Sequence, residues 1–148
     1  MKQLKDIIKL IESSNNPLAV RFEPLFYDNL KPKTNDPAVL KIKKIHKCTY
    51  YTALMIASTS WGLYQIMGYN LYFYDLTEKT VFEYLFDEEE QEKAFEKFIK
   101  KRKINFSIEE LKSDPEKIRK FAKYYNGDTE GYSRKILKLL EEENAVNV

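Results

Sequence analysis

Only four glycines occur among the 148 residues, and they form two pairs, Gly62 with Gly68 and Gly127 with Gly131. Elsewhere the apolar residues return at helical intervals, as Leu4, Ile7, Ile8 and Ile11 do near the start and Phe95, Phe98 and Ile99 do later. A chain patterned this way builds helices. Glycine serves where φ must be positive or where two backbones pass closely, so the two bracketed segments mark such places, although ordinary turns would meet the same need.

The periodicity predicts a first helix over about Lys2 to Ser13, ended by Ser14-Asn15-Asn16-Pro17, so that Glu12 falls in its last turn. Residues 22–30 read as aromatic and irregular, and 29–37 as a polar loop. Asp36-Pro37 has the form of a helix start, with Asp as cap and Pro at the first position. Further helices are predicted over about 49–57, 70–86, 108–111, 115–125 and 132–142. Another starts at Asp87, where Glu90 three residues on predicts a reciprocal capping box. Without an internal repeat, low-complexity segment or linker, residues 1–148 read as one mainly helical domain.

One cysteine and one histidine leave no disulfide within the chain and no structural zinc set; no metal or cofactor is implied. His46 and Cys48 lack a third, orienting group and read as incidental. The 25 basic and 23 acidic residues give a net charge of +2, which does not argue for nucleic acid. The charge is nevertheless uneven. Six lysines (Lys31, Lys33, Lys41, Lys43, Lys44, Lys47) stand against Asp36, and Asp87, Glu88, Glu89, Glu90 and Glu92 gather in another stretch. Two solvated faces explain this, and the basic one is suited to weak attraction to an anionic wall. No apolar run is long enough for a membrane span, and the charged start lacks the form of a signal peptide, so synthesis in the cytoplasm is expected. Eleven Tyr and nine Phe suit both a packed core and a groove for flat sugar rings.

Four segments carry a further signal in their order: Glu12-Ser13; Phe22-Glu23 with Phe26-Tyr27; Ser60-Trp61-Gly62-Leu63-Tyr64-Gln65-Ile66-Met67-Gly68; and Phe121-Ala122-Lys123-Tyr124-Tyr125-Asn126-Gly127. In these the chain resembles the N-acetylmuramidases of phage endolysins and bacterial wall-degrading enzymes, within the lysozyme-like superfamily. It departs from them after the Glu-Ser, where glycines are usual and Ser14 and Asn15 stand here.

The resemblance implies an α+β lysozyme-like fold, mainly α, in which residues 60–68 form a short hairpin or loop lining a substrate groove. It implies a monomeric hydrolase of the β-1,4 bond between N-acetylmuramic acid and N-acetylglucosamine in peptidoglycan glycan strands. Such an enzyme would act on the wall after release. Glu12 would be the acid. A carboxyl must stay protonated to protonate the leaving oxygen. The negative end of a helix and apolar neighbours such as Ile8, Ile11 and Trp61 both oppose its ionisation. Glu23 is the leading second carboxylate and Asp28 the weaker one; a structural role for Glu23, accepting backbone hydrogen bonds, is the alternative. Ser60, Gln65 and Met67 would form one wall, and Tyr125 and Asn126 the other, with Tyr124 and Trp61 in the core. The competing readings are a lytic transglycosylase, a non-catalytic wall-binding or virion module, and a nucleic-acid-binding domain resting on the lysine cluster alone.

Overall fold

The computed structural model describes residues 3–146; of the expected first helix Lys2 falls outside them. The chain runs α1 (Leu4–Ser13), β1 (Val20–Phe22), α2 (Pro24–Leu30), α3 (Pro37–His46), α4 (Tyr50–Ala57), β2 (Thr59–Trp61), β3 (Ile66–Met67), α5 (Gly68–Phe73), α6 (Val81–Leu85), α7 (Glu88–Lys101), α8 (Ile108–Ser113), α9 (Pro115–Tyr125) and α10 (Thr129–Val146). It is mainly helical with one small antiparallel sheet in the order β1-β2-β3. The lysozyme-like, mainly α architecture expected from sequence is what the chain adopts. No helix among the described residues is long and apolar enough to cross a membrane.

Local chemistry accounts for most element ends. Asp36 caps α3 by accepting from the N–H groups of Ala38 (2.9 Å) and Val39 (3.4 Å), with Pro37 at the first helical position. At α1 the N–H of Ser14 returns to Leu10 O and that of Asn15 to Lys9 O, which closes the helix and leaves both residues at positive φ. The shape that glycines would give after Glu-Ser is thus taken by Ser14 and Asn15, despite the crowding of a Cβ there.

Four expectations need correction. Residues 22–30 are not irregular: they end β1 and form α2. The stretch 70–86 is not one helix. α5 stops at Phe73, Asp75 turns at φ 54°, and α6 begins only after the Thr80 cap, whose hydroxyl accepts from Glu83 N–H. The buried Leu76 anchors the break by donating its N–H to Leu71 O. The box at Asp87 is half formed. Asp87 accepts from Glu90 N–H at 2.9 Å, but its own N–H goes to Tyr84 O, and Glu90 accepts from Thr77 Oγ1 instead. The last helix starts at Thr129, three residues earlier than its apolar pattern.

The core gathers Ile7 and Ile8 of α1, Leu54 of α4, Leu71 and Tyr72 of α5, Tyr84 of α6, Phe95 of α7 and Phe121 of α9, with Tyr64 of the hairpin turn among them. Tyr64 and Phe95 stack with centroids 4.2 Å apart. Burial of such rings is the main favourable term, about 25 cal/mol per Å² of apolar surface.

The sheet is held by contacts to glycine. Gly62 turns at φ 76°, and a Cβ there would lie 2.3 Å from Gln91 Oε1; one on Gly68 would lie 2.1 Å from Ile56 O. Gln91 is fully buried on α7 and joins three segments. Its Oε1 accepts from Leu63 N–H at 2.7 Å, while its Nε2 lies 3.1 Å from the carbonyls of Pro17, Tyr84 and Leu85. One side chain therefore pins the hairpin turn, the segment after α1 and the end of α6.

Candidate active site

Strand register places Arg21, Ser60 and Met67 in a row across the three strands. All three line a groove of about 570 Å³ whose other walls come from the end of α1, from α2, from Asn70 of α5 and from the ends of α7 and α9. Seven residues singled out from the sequence line this one groove: Glu12, Glu23, Ser60, Gln65, Met67, Tyr125 and Asn126.

Glu12 is half-buried in the last turn of α1, a turn without a basic residue. Its neighbour Ser13 fixes that turn against the hairpin, with Oγ 2.8 Å from Leu63 O and 3.1 Å from Lys9 O. The hydroxyl of Tyr132, on α10, donates to Glu12 Oε1 at 2.7 Å. Burial pushes the Glu12 carboxyl above the ordinary range. The Tyr132 hydrogen bond and the positive charges of Arg21 and Lys135 pull it back, and Glu23 adds a smaller push upward; burial wins. Tyr132 is 2% exposed, and burial with the adjacent Glu12 charge drives its phenol far up, so it remains a donor.

Glu23 caps α2 without a side-chain hydrogen bond to the helix. Its backbone N–H donates to Ser58 O at 2.8 Å, and its Oε1 accepts from Arg21 Nε at 2.6 Å. The alternative of a carboxylate tying down backbone N–H groups is not what the structure shows. Its partner is a guanidinium two residues back. Asp28 is exposed and outside the groove lining.

Gln65 turns at φ 47° and its Nε2 donates to Ala19 O (3.1 Å) and Gly62 O (3.0 Å), closing the hairpin onto the segment before β1. Trp61 packs as expected, 7% exposed, with its indole N–H donating to Ile56 O and its edge toward Phe82. It is not among the residues of the groove lining, and the hydrogen bond to Glu12 comes from Tyr132.

Both tyrosines at the end of α9 border the groove, and Tyr124, expected in the core, is the more exposed of the two. Tyr124 is 41% exposed and on the groove. Tyr125 is largely buried, stacked on Phe121, and donates its hydroxyl to Tyr64 O at 2.8 Å. The cause is geometric: with Phe121 and Tyr125 aimed inward four residues apart, the ring next to Tyr125 points about 100° away and reaches the groove. Asn126 ends the helix with its Oδ1 3.3 Å from Asp128 N–H.

Sequence reasoning missed Arg21, Tyr132, Arg102 and Gln91. The alternation through Arg21, Ser60 and Met67 would have found Arg21 had β1 been recognised. Tyr132 lies 120 residues from Glu12, beyond any local pattern.

The N-acetylmuramidase family matches residues 43–141, which include the hairpin and Tyr124 to Asn126 but neither Glu12 nor Glu23. An endolysin of Enterobacteria phage PRD1 is 38% identical over 138 residues, covering 91% of this chain and 92% of the relative. No solved structure matches.

Proposed function

Because this chain belongs to the N-acetylmuramidase family, and so to the glycoside hydrolases that degrade peptidoglycan, we propose that Glu12 is its general acid. The bond cleaved is the β-1,4 link between N-acetylmuramic acid and N-acetylglucosamine. The observation that carries this reading is the Glu12 carboxyl, held above its ordinary range by burial while facing an open groove.

A glycan strand laid along the groove brings a glycosidic oxygen to Glu12, which donates its proton as the bond to the anomeric carbon breaks. The carboxylate so formed keeps the hydrogen bond from Tyr132, which stabilises it at the moment charge develops. Positive charge grows on the sugar ring. Glu23, oriented by Arg21, positions a water molecule and accepts its proton as the water oxygen bonds to the anomeric carbon. Ser60, Met67 and the carboxamide oxygen of Gln65 hold an N-acetyl group, and Asn126 the facing sugar. Tyr125 acts by fixing the hairpin through Tyr64 O rather than by touching sugar. The endolysin name of the phage relative supports action at the wall once the enzyme reaches it.

Clearing of purified peptidoglycan by wild type and Glu12→Gln, with mass spectrometry of the products, tests this. Hydrolysis leaves reducing ends, while a transglycosylase leaves anhydro-muramic ends. Equal clearing by both proteins overturns the assignment of Glu12.

A further inference from the structure

Beyond Glu12, the groove lining includes Arg102 and Lys123, whose cations meet at a single exposed ring. The Arg102 guanidinium carbon lies 5.8 Å and the Lys123 ammonium 5.5 Å from the centroid of Tyr124. Arg102 is held in place by neutral acceptors. Its Nε and a terminal nitrogen donate to Tyr124 O at 3.1 and 3.0 Å, and its other terminal nitrogen donates to Tyr74 Oη at 3.1 Å. Among the described residues neither cation forms an ion pair with a carboxylate. The remaining charged groups of the lining are accounted for, since Arg21 is paired with Glu23 and Glu12 is the buried acid.

Two like charges gathered on one ring repel each other, and cation–π attraction at an exposed site offsets only part of that. These bonds use three of the five guanidinium N–H groups, which fixes the plane of the group and leaves two donors for an anion. The position is informative as well. Tyr125, between Tyr132 at one side (centroids 6.1 Å apart) and Phe98 at the other (5.7 Å), separates Glu12 from this cluster, and Phe98 leads on to Tyr74 (5.8 Å) beneath Arg102. The cations therefore lie along the groove from the acid, where they would meet a substituent of the strand rather than the breaking bond.

We propose that Arg102, Lys123 and Tyr124 form a subsite for a carboxylate carried on the side arm of the muramic acid residue, so that the enzyme reads the acidic side arms of its substrate as well as its sugar backbone. This rests on the groove being the glycan site proposed above. A neutral amino-sugar polymer has nothing to offer two cations, whereas each muramic acid carries either a free lactyl carboxylate or a peptide with carboxylates of its own.

The test is binding, measured in a Glu12→Gln background so that the polymer survives, with thermal melting as the fold control. Lys123→Gln, an exposed position, and the double Arg102→Gln/Lys123→Gln variant are compared with their parent on three forms of purified sacculi: native, amidase-stripped to free lactyl groups, and carbodiimide-capped to remove carboxylate charge. Roughly tenfold weaker binding to native sacculi is expected for the double variant, and a smaller loss for Lys123→Gln, with both losses shrinking as salt rises. Arg102→Lys, which keeps the charge, recovers part of the loss. On capped sacculi the parent falls to the level of the double variant. A loss confined to native sacculi assigns the peptide carboxylates, and one that persists on stripped sacculi the lactyl group. Unchanged binding to native sacculi by melting-competent variants overturns the proposal. So does a parent that still outbinds the double variant on capped sacculi. Neither result bears on Glu12, whose reading stands or falls on cleavage.

Discussion

Glu12 ends a helix and rests against a buried phenol; Glu23 starts one and rests against a guanidinium. Both carboxylates line the same groove. Around Glu12, loss of water outweighs the hydrogen bond from Tyr132 and the charge of Arg21. Around Glu23, a cation stands 2.6 Å away and the Arg21 side chain is 60% exposed, so the pair keeps access to water. Their neighbours set the two carboxylates apart: a buried phenol brought from the last helix at Glu12, and an exposed guanidinium two residues back at Glu23.

The contrast can be broken most decisively at Glu12. Glu12→Gln is expected to lower the clearing rate by about 10²- to 10⁴-fold, the range of a positioned acid. The same variant is expected to melt higher than wild type near neutral pH. A carboxyl whose folded pKa exceeds its unfolded value gives stability as pH falls and costs stability once pH rises through the folded value, so the gain from Gln shrinks toward acid pH. Melting curves at neutral and acid pH check this.

Glu23→Gln is expected to cost less, roughly a hundredfold, the low end of what a positioned base supplies. It also sharpens the comparison through the pH–rate profile. Removing the Glu23 charge lowers the Glu12 pKa and moves the alkaline limb of kcat/KM down, whereas Arg21→Gln moves it up. A limb that ignores both changes would show that the group titrating is not Glu12. Tyr132→Phe also moves that limb up, because the lost hydrogen bond favoured the ionised form, and costs about 1–2 kcal/mol in denaturant unfolding.

The smallest effect lies in the turn that sets Glu12 in place. Ser14 and Asn15 hold φ of 52° and 63°. Asn15→Gly relieves that backbone and is expected to change stability by no more than about 1 kcal/mol while leaving the pH profile alone, as urea melts and the rate profile would show.

Much of the fold was legible because it rests on local rules. The stripe of Leu4, Ile7, Ile8 and Ile11, the Asp36-Pro37 start and the glycines flanking the hairpin each act over a few residues, and each predicts what is found. The misreadings fall where nonlocal partners decide. A three-residue strand such as β1 has no periodicity of its own and exists because Trp61, Ser60 and Thr59 pair with it. The break at Asp75 depends on Leu76 entering a core that distant helices build. Tyr124 and Tyr125 are identical in sequence terms, and only the packing of Phe121, Phe98 and Phe95 around one ring selects which is interior.

The order of Glu-Ser, hairpin and Tyr-Asn-Gly segments was set down in the sequence, as was the acid at the end of the first helix, because capping, turns and side-chain spacing act between near neighbours. Tertiary structure alone decided what surrounds that acid: Tyr132 from the last helix, Arg21 from a strand and the two cations farther along the groove. Burial and electrostatic interaction depend on distance in space, and no spacing along a chain encodes a hydrogen bond formed across 120 residues.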